Sequence, residues 1–441
     1  MSAAAYSPAL AASWPAPTAA GAVDAEVPVP GSKSLTGREL VLAAIADGPG
    51  ILRAPLQSDD TSRMVAALRA LGVGIETVPG ESGDDLSVTP PARLCGGGVV
   101  DCGQAGTVMR FVTPLAGLAD GEVTITAHPT ALHRPMGELI RALRQAGMDI
   151  DDGGRWSLPF VVRGRGHVRG GNVEVDAGAS SQFVSGMLLA APRFDVGLRL
   201  THTGGPLPSI PHIDMTVACL AGRGVHVEQP RPGEWIVPAG PVRSKDVTIE
   251  PDLSNAAPFL AAAVATGGRV AIPGWPATST QPGALLPDLL GAFGARAGRR
   301  HGMLTVRGPA RPAGVRLDLA AAGELAPTLV GLAALAEDES VFTGIGHIRG
   351  HESDRIAALV ANIRALGGEA DELPDGIRVV PRPLHGGLWR THHDHRLATT
   401  GALVGLVVPG TVVDDITTTG KTLPRFAQMW SGMLAGAVPG G

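Results

Sequence analysis

MVAALRALGVGIE, running from Met64 to Glu76, sets apolar residues at helical spacing, then Gly72, then an alternating run that suits a strand. The same order returns in LIRALRQAGMDID (Leu139–Asp151), MTVACLAGRGVHVE (Met215–Glu228), LLPDLLGAFGARAG (Leu285–Gly298) and ALVANIRALGGEAD (Ala358–Asp371). The glycines at the turn are Gly72, Gly147, Gly224, Gly294 and Gly367, spaced by 75, 77, 70 and 73 residues. A glycine after a helix accepts the left-handed backbone that closes it. In 441 residues a sixth unit fits, around LPRFAQMWSGML (Leu423–Leu434). The reading is an α/β protein built from one helix–strand element with further strands, repeated about six times. The bland alternative is that helix, glycine, strand is a common order in any α/β chain.

Domains mostly run to roughly 100–200 residues, so two or three are expected here. Two segments look like crossings, VPVPGSKS after Glu26 and RSKDVTIEPDLSNAAPF after Val242. Three repeats lie between them and three after, which predicts two similar domains facing one another across a cleft, a default ligand site. The first 22 residues have neither the charge pattern of a secretory signal nor the arginines of a transit peptide, and read as a flexible tail. Three cysteines, Cys95, Cys102 and Cys219, without CxxC spacing, argue against a disulfide framework and for a reducing cytoplasm. With 44% hydrophobic and 17% charged residues the chain reads as folded rather than disordered. A net charge of −5 and 3% aromatics give no reason to expect nucleic acid or a membrane surface. One count is odd: of 36 basic residues only Lys33, Lys245 and Lys421 are lysine, so 33 are arginine.

Several short motifs carry chemistry. Pro30-Gly31-Ser32-Lys33-Ser34, with Arg38 four residues on, offers free N–H groups, hydroxyls and a cation to an anion. It is not a Walker loop, because Ser32 separates Gly31 from Lys33; Thr419-Gly420-Lys421-Thr422 fails that test too, with Asp415 where glycine is needed. Small residues at Gly103, Ala105 and Gly106 allow close backbone approach. Arg134, in His133-Arg134-Pro135-Met136-Gly137, can fork onto a carboxylate or phosphate. Ser180, Ser181 and Gln182 precede an apolar helix, while Ser209 lies in a proline-punctuated loop. His351, Glu352, Asp354 and Arg355 crowd together, and a carboxylate among cations suits a general acid or base. Glu324 is a carboxylate in an apolar stretch, and His392-His393-Asp394-His395-Arg396 has metal-ligand types without a second cluster. Taken singly, each also reads as a capped helix start, a tight turn or a solvated charge.

Together, and in this order, PGSKS-x3-R, AGT-x2-R, RPMG, SSQF, S-x4-D-x-T, HESDR, DHR and GKT resemble the EPSP synthase (3-phosphoshikimate 1-carboxyvinyltransferase) family over nearly the whole chain after Val27, in spellings most like actinobacterial members. The resemblance implies two domains of three-fold pseudo-symmetry, built from six βαβαββ units. It divides the chain into a tail (1–22), an upper domain (31–246) and a discontinuous lower domain (23–30 plus 247–441), with the site in the interdomain cleft. It implies transfer of the enolpyruvyl group of phosphoenolpyruvate to the 5-hydroxyl of 3-phosphoshikimate, with no cofactor or metal, in a cytoplasmic enzyme expected to be a monomer.

Carried over by position, Lys33, Ser34, Arg38, Ser180, Ser181, Gln182, Ser209, Glu324 and His351 bind 3-phosphoshikimate. Lys33, Gly106, Arg134, Gln182, Arg355, Arg396 and Lys421 bind phosphoenolpyruvate. Glu324 matches the proton acceptor and Glu352 the proton donor, with Lys33 sharing the catalysis. Departures are Glu324 for the usual aspartate, His351 for a lysine, Gln104 and Gly37 for asparagines, Phe111 for a proline and His212 for a tyrosine. Gly106 implies sensitivity to glyphosate. The sister UDP-N-acetylglucosamine enzyme usually carries a cysteine (aspartate in some members) before its RP motif, and here that loop, TAHPTALHRP, has no cysteine. A catalytically dead phospho-ligand binder is disfavoured by the presence of Lys33, Glu324, Glu352 and Lys421.

Overall fold

The computed structural model describes residues 13–81 and 83–436. It divides into two units, each with its own apolar core. Among the described residues, one comprises Pro30–Asp252 and Thr278–Pro282; the other comprises residues 13–29, Leu253–Ala277 and residues 283–436. Each builds three sheets among the described residues.

The twelve α-helices among the described residues are α1 (Lys33–Ala44), α2 (Asp59–Ala70), α3 (Gly106–Gly117), α4 (Gly137–Gln145), α5 (Gln182–Ala190), α6 (Ile210–Gly222), α7 (Ala257–Thr266), α8 (Leu286–Ala292), α9 (Ala326–Ala333), α10 (Arg355–Ala365), α11 (His395–Gly405) and α12 (Phe426–Leu434). The odd-numbered helices are inner ones. Every residue of α9 is buried, as is every residue of α11 except Arg396, and so are Ala257–Val264 of α7 and Phe183–Ala190 of α5. Sequences such as APFLAAAVAT and APTLVGLA are apolar all round, so such helices need protein on every side. In the Pro30 unit α5 presses closely on α3 at Gly186, where a Cβ would stand 2.2 Å from the carbonyl oxygen of Arg110. A buried pair, Arg223 Nε to Glu39 Oε2 at 2.8 Å, ties α6 to α1.

The sheets share one plan. A strand before an inner helix pairs in parallel with the strand after it, as Val99–Asp101 does with Asp120–Thr126 around α3. An outer helix follows, and in the four four-stranded sheets a hairpin extends the sheet, as Phe160–Arg165 and Ile150–Asp151 do here, whereas the two three-stranded sheets gain one antiparallel strand. Parallel neighbours need such a helical crossover, and antiparallel ones need only a turn. Two sheets take their first strand from far along the chain. Val247–Thr248 pairs with Leu52–Arg53, and Asp24–Glu26 pairs with Arg269–Ala271, both in parallel. The first unit therefore continues past residue 246 to Asp252, since its opening sheet is completed by Val247–Thr248. Thr278–Pro282 joins it because Ser279 Oγ and Gln281 Nε2 both donate to Glu250 Oε2, at 2.6 and 2.9 Å.

The marker glycines all have left-handed backbone: φ is +88° at Gly72, +96° at Gly147, +81° at Gly224, +93° at Gly294 and +88° at Gly367. Gly436, after α12, repeats the device at +71°. The tail expected through residue 22 is fastened sooner. Residues 1–12 lie outside the described residues, but Trp14–Pro15 pairs antiparallel with Val412–Val413, and Ala16 is buried, its N–H donating to Thr411 O.

Gly367→Ala forces an L residue into that conformation and sets a Cβ 2.9 Å from the His385 ring. It should lower unfolding free energy by about 1–2 kcal/mol in urea titration. Gly298→Ala, with nothing within 4 Å of its Cβ, should stay within about 0.5 kcal/mol of the parent.

Candidate active site

In each unit the motifs fall at or near helix starts, those of inner helices such as α1, α3, α5 and α11 and of outer ones such as α4, α6 and α10. In the Pro30 unit α1 opens at Lys33 after Ser32, whose Oγ accepts from the Leu35 N–H. The Lys33 N–H donates to Asp252 Oδ2 at 3.0 Å, and its ammonium lies 3.4 Å from Asp60 Oδ2. Asp60 is a buried carboxylate in the first turn of α2, and no motif around it singles it out.

Arg38, one turn further, is only 1% exposed. Its guanidinium donates to Thr216 Oγ1, Ser34 O and His212 O, at 2.8, 2.9 and 2.8 Å. It also lies 5.3 Å from the centroid of the Phe111 ring, a cation–π contact. Of the family departures, Phe111 meets this arginine with its ring, while His212 meets it only through the backbone carbonyl.

The start of α3 meets that of α5. A Cβ on Gly106 would stand 2.7 Å from Arg110 Nη1, 3.4 Å from Gln182 Oε1 and 3.7 Å from Arg134 Nη1. Arg134 Nη1 donates to Gln104 O at 2.8 Å. Gln182 Oε1 is buried with no hydrogen-bond partner, so an acceptor is held ready beside Gly106. Ser180 Oγ accepts from the Gln182 N–H at 3.3 Å and Ser181 is buried. Ser209 precedes α6 with φ at +52°, a strained setting for serine. Cys95 is exposed, while Cys102 and Cys219 are buried. Burial, with Asp101 nearby, pushes the Cys102 thiol up to about 12, and burial also raises that of Cys219. Neither buried thiol is an activated nucleophile.

In the C-terminal unit three helix starts touch. Ser254, ahead of α7, donates its hydroxyl to Glu324 Oε1 at 2.5 Å; Glu324 lies in the 3₁₀ turn Gly323–Leu325 that opens α9. Arg396, in the first turn of α11, donates from Nη1 to Ser254 O at 2.8 Å. Beside them Asp394 caps α11 through the Arg396 N–H and is fully buried. Arg355 grips it at both oxygens, Nε to Oδ2 at 2.7 Å and Nη2 to Oδ1 at 3.1 Å. The same guanidinium reaches Glu352 Oε2 at 2.8 Å, and the Lys421 ammonium reaches Glu352 Oε1 at 2.6 Å. His392 and His393, both with positive φ, precede Asp394 and carry the chain into this cap.

The electrostatics follow from burial and charge. Burial alone would raise the Glu352 carboxyl, but Lys421 and Arg355 outweigh it and hold the carboxyl well below its usual range. Burial works against the Arg355 charge, yet Asp394 and Glu352 prevail and raise its affinity for the proton. His351, whose Nδ1 is 3.2 Å from Arg355 Nη1, is pushed down to about 3 by burial and by Arg355, so its ring is neutral. The site as it stands is therefore a paired set of cations and carboxylates around helix N-termini, an arrangement suited to anions.

The repeated α/β architecture is a class of fold that recurs in solved structures. It superposes on EPSP synthase from Acinetobacter baumannii with a TM-score of 0.76 at 23% identity, covering 97% of this chain and 98% of that one. The enolpyruvyl transferase NikO from Streptomyces tendae gives 0.71 at 18%, covering 93% and 94%. The sequence narrows the class. The EPSP synthase (3-phosphoshikimate 1-carboxyvinyltransferase) family matches residues 17–430. A 3-phosphoshikimate 1-carboxyvinyltransferase of Kocuria rhizophila is 51% identical over 428 residues, 96% of each chain. The chain belongs to the EPSP synthase family. No helix among the described residues is long and apolar enough to cross a membrane.

A carboxyl with a lowered folded-state pKa stabilises the fold above its unfolded value, about 4.3 for glutamate, and loses that contribution as pH falls through the folded value. Urea titrations should therefore show Glu352→Gln less stable than the parent by a constant margin at pH 6–8. That margin should shrink below about pH 4.3.

Proposed function

We infer that this enzyme transfers the enolpyruvyl group of phosphoenolpyruvate to the 5-hydroxyl of 3-phosphoshikimate, releasing phosphate and forming 5-enolpyruvylshikimate 3-phosphate, a step of the shikimate pathway. What carries the assignment is that the family match over residues 17–430 takes in every charged group the reaction needs. We further propose that the enzyme works as a cytoplasmic monomer without metal or organic cofactor. Its three free cysteines suit a reducing compartment.

In the proposed cycle, protonation of the methylene carbon of phosphoenolpyruvate leaves an oxocarbenium-like centre at C2. The 5-hydroxyl oxygen attacks that centre as Glu324 takes its proton, giving a tetrahedral ketal phosphate. Loss of a methyl proton and of phosphate restores the double bond. Glu352 is the proton donor and Lys33 shares the acid–base work. Arg134, Arg355, Arg396 and Lys421 neutralise phosphoenolpyruvate, with Gly106 leaving room and Gln182 reaching both substrates. Ser180, Ser181 and Ser209 take the phosphate of 3-phosphoshikimate; Ser34, Arg38 and His351 complete that site.

The ion pairs bear on how Glu352 obtains its proton. Before substrate binds, Lys421 and Arg355 hold it ionised. An anionic substrate that engages these cations weakens their hold on the carboxylate and raises its affinity for a proton. Substrate binding in this way prepares the acid.

Phosphate release should require both phosphoenolpyruvate and 3-phosphoshikimate; none with this pair would overturn the assignment. Lys33→Arg keeps the charge but not the titratable amine, and should cut kcat by about 10²-fold or more. Glyphosate should inhibit competitively with phosphoenolpyruvate. Gly106→Ala, whose Cβ crowds Arg110 and Gln182, should raise both the inhibitory concentration and the KM for phosphoenolpyruvate by roughly tenfold or more.

A further inference from the structure

We propose that Ser254 is a positioning residue for the proton acceptor, fixing the carboxylate of Glu324 through its hydroxyl. The inference rests on the reading of Glu324 as the base. An ionised carboxylate only accepts, so the 2.5 Å contact is a donation from Ser254 Oγ to Glu324 Oε1. Hydrogen bonds to a charged acceptor are short and about twice as strong as neutral ones.

Ser254 is suited to the task because it is itself immobilised. It is 4% exposed, and its carbonyl receives Arg396 Nη1 at 2.8 Å. The next residue, Asn255, is anchored by Nδ2 to Thr422 O at 3.0 Å, immediately beyond Lys421. One serine thus joins the base of the proposed reaction, by its side chain, to a substrate-binding arginine, by its backbone. The first link can be cut by mutation while the second survives.

Glutamate also needs this restraint more than aspartate would. Its extra methylene adds a rotatable bond, so an untethered carboxylate samples more positions, and small misplacements of a catalytic group are costly. Near Glu324 the other titratable and charged groups are Arg355 and His347, on the stretch leading into and through α10, and Arg396 on α11. Of the contacts the structure shows for Glu324, the one from Ser254 is a direct hydrogen bond to a carboxylate oxygen.

The test is steady-state kinetics on the intact enzyme. Ser254→Ala should lower kcat by about ten- to hundredfold. The KM for phosphoenolpyruvate should stay within about twofold, because the carbonyl that holds Arg396 remains. Ser254→Thr restores a hydroxyl and should recover most of the rate. Ser254→Cys, close in size with a weaker donor, should fall between and guards against misfolding of the alanine variant. In a Glu324→Gln background, Ser254→Ala should cost nothing further. An unchanged kcat for Ser254→Ala beside an inactive Glu324→Gln would overturn the role of Ser254 and leave the base intact. Equal losses in both backgrounds would likewise overturn it, by showing a merely structural effect. Normal turnover in Glu324→Gln alone would instead remove the base reading on which the inference stands.

Discussion

The buried pair of Arg355 and Asp394 organises everything chemical in the C-terminal unit. Asp394 is fully buried and Arg355 is 3% exposed, and two nearly parallel hydrogen bonds join them. Neither charge is tolerable alone at that depth, and removal of one partner from such a pair typically costs 3–5 kcal/mol. Because Asp394 caps α11 and Arg355 opens α10, the pair locks two helix starts to each other. Arg355 then has a guanidinium N–H left for Glu352, which in turn takes Lys421. A chain of alternating charge results, rigid at the buried end and exchangeable at the other. Its outer members, Glu352 at 17% and Lys421 at 11% side-chain exposure, are the ones a solvent-borne anion can reach.

This gradation explains how an acidic protein can serve anionic substrates. The net charge of −5 is a property of the whole surface, whereas the site depends on local pairing. Cations stored against carboxylates stay desolvated and oriented without destabilising the empty fold. An incoming anion competes for partners already in place, so little reorganisation accompanies binding. In the Pro30 unit Lys33 lies near Asp60, and the guanidinium groups of Arg110 and Arg134 and the uncharged Gln182 stand beside Gly106. Arg38, spread over three protein acceptors and the face of Phe111, stiffens the junction of α1 with α6.

What the sequence disclosed and what it withheld follow from the range of the interactions. A helix closed by a left-handed glycine is a local event, so Gly72, Gly147, Gly224, Gly294 and Gly367 announced the repeat, and Gly436 completes the series. Motifs at helix starts were legible for the same reason, since caps and phosphate-binding turns are written in adjacent residues. Contacts between distant segments were not. Ser254 meets Glu324 across 70 residues and Glu352 meets Lys421 across 69, and no periodicity encodes either. The short strands Trp14–Pro15 and Val247–Thr248 are two residues each, too brief to show alternation, and exist because a neighbouring strand needs a partner. The same holds for Thr278–Pro282, whose membership is decided by the carboxylate of Glu250 rather than by its own composition.

The scarcity of lysine takes on physical meaning in this light. Lys245 is exposed, and nothing in the structure distinguishes it from the arginines around it. Lys33 and Lys421 each lie against a carboxylate, Asp60 and Glu352. A guanidinium at either place would be planar and permanently protonated, and would bind its carboxylate with two parallel hydrogen bonds rather than one. Such a fork is harder for a substrate to displace. An ammonium is a compact charge on a flexible stem; it can transfer its allegiance from protein carboxylate to substrate phosphate, and it can give up a proton. In a chain with only three lysines, those two properties are what set Lys33 and Lys421 apart from arginine. The pairing that keeps Glu352 ionised in the empty site is the same pairing that a lysine, unlike an arginine, readily releases.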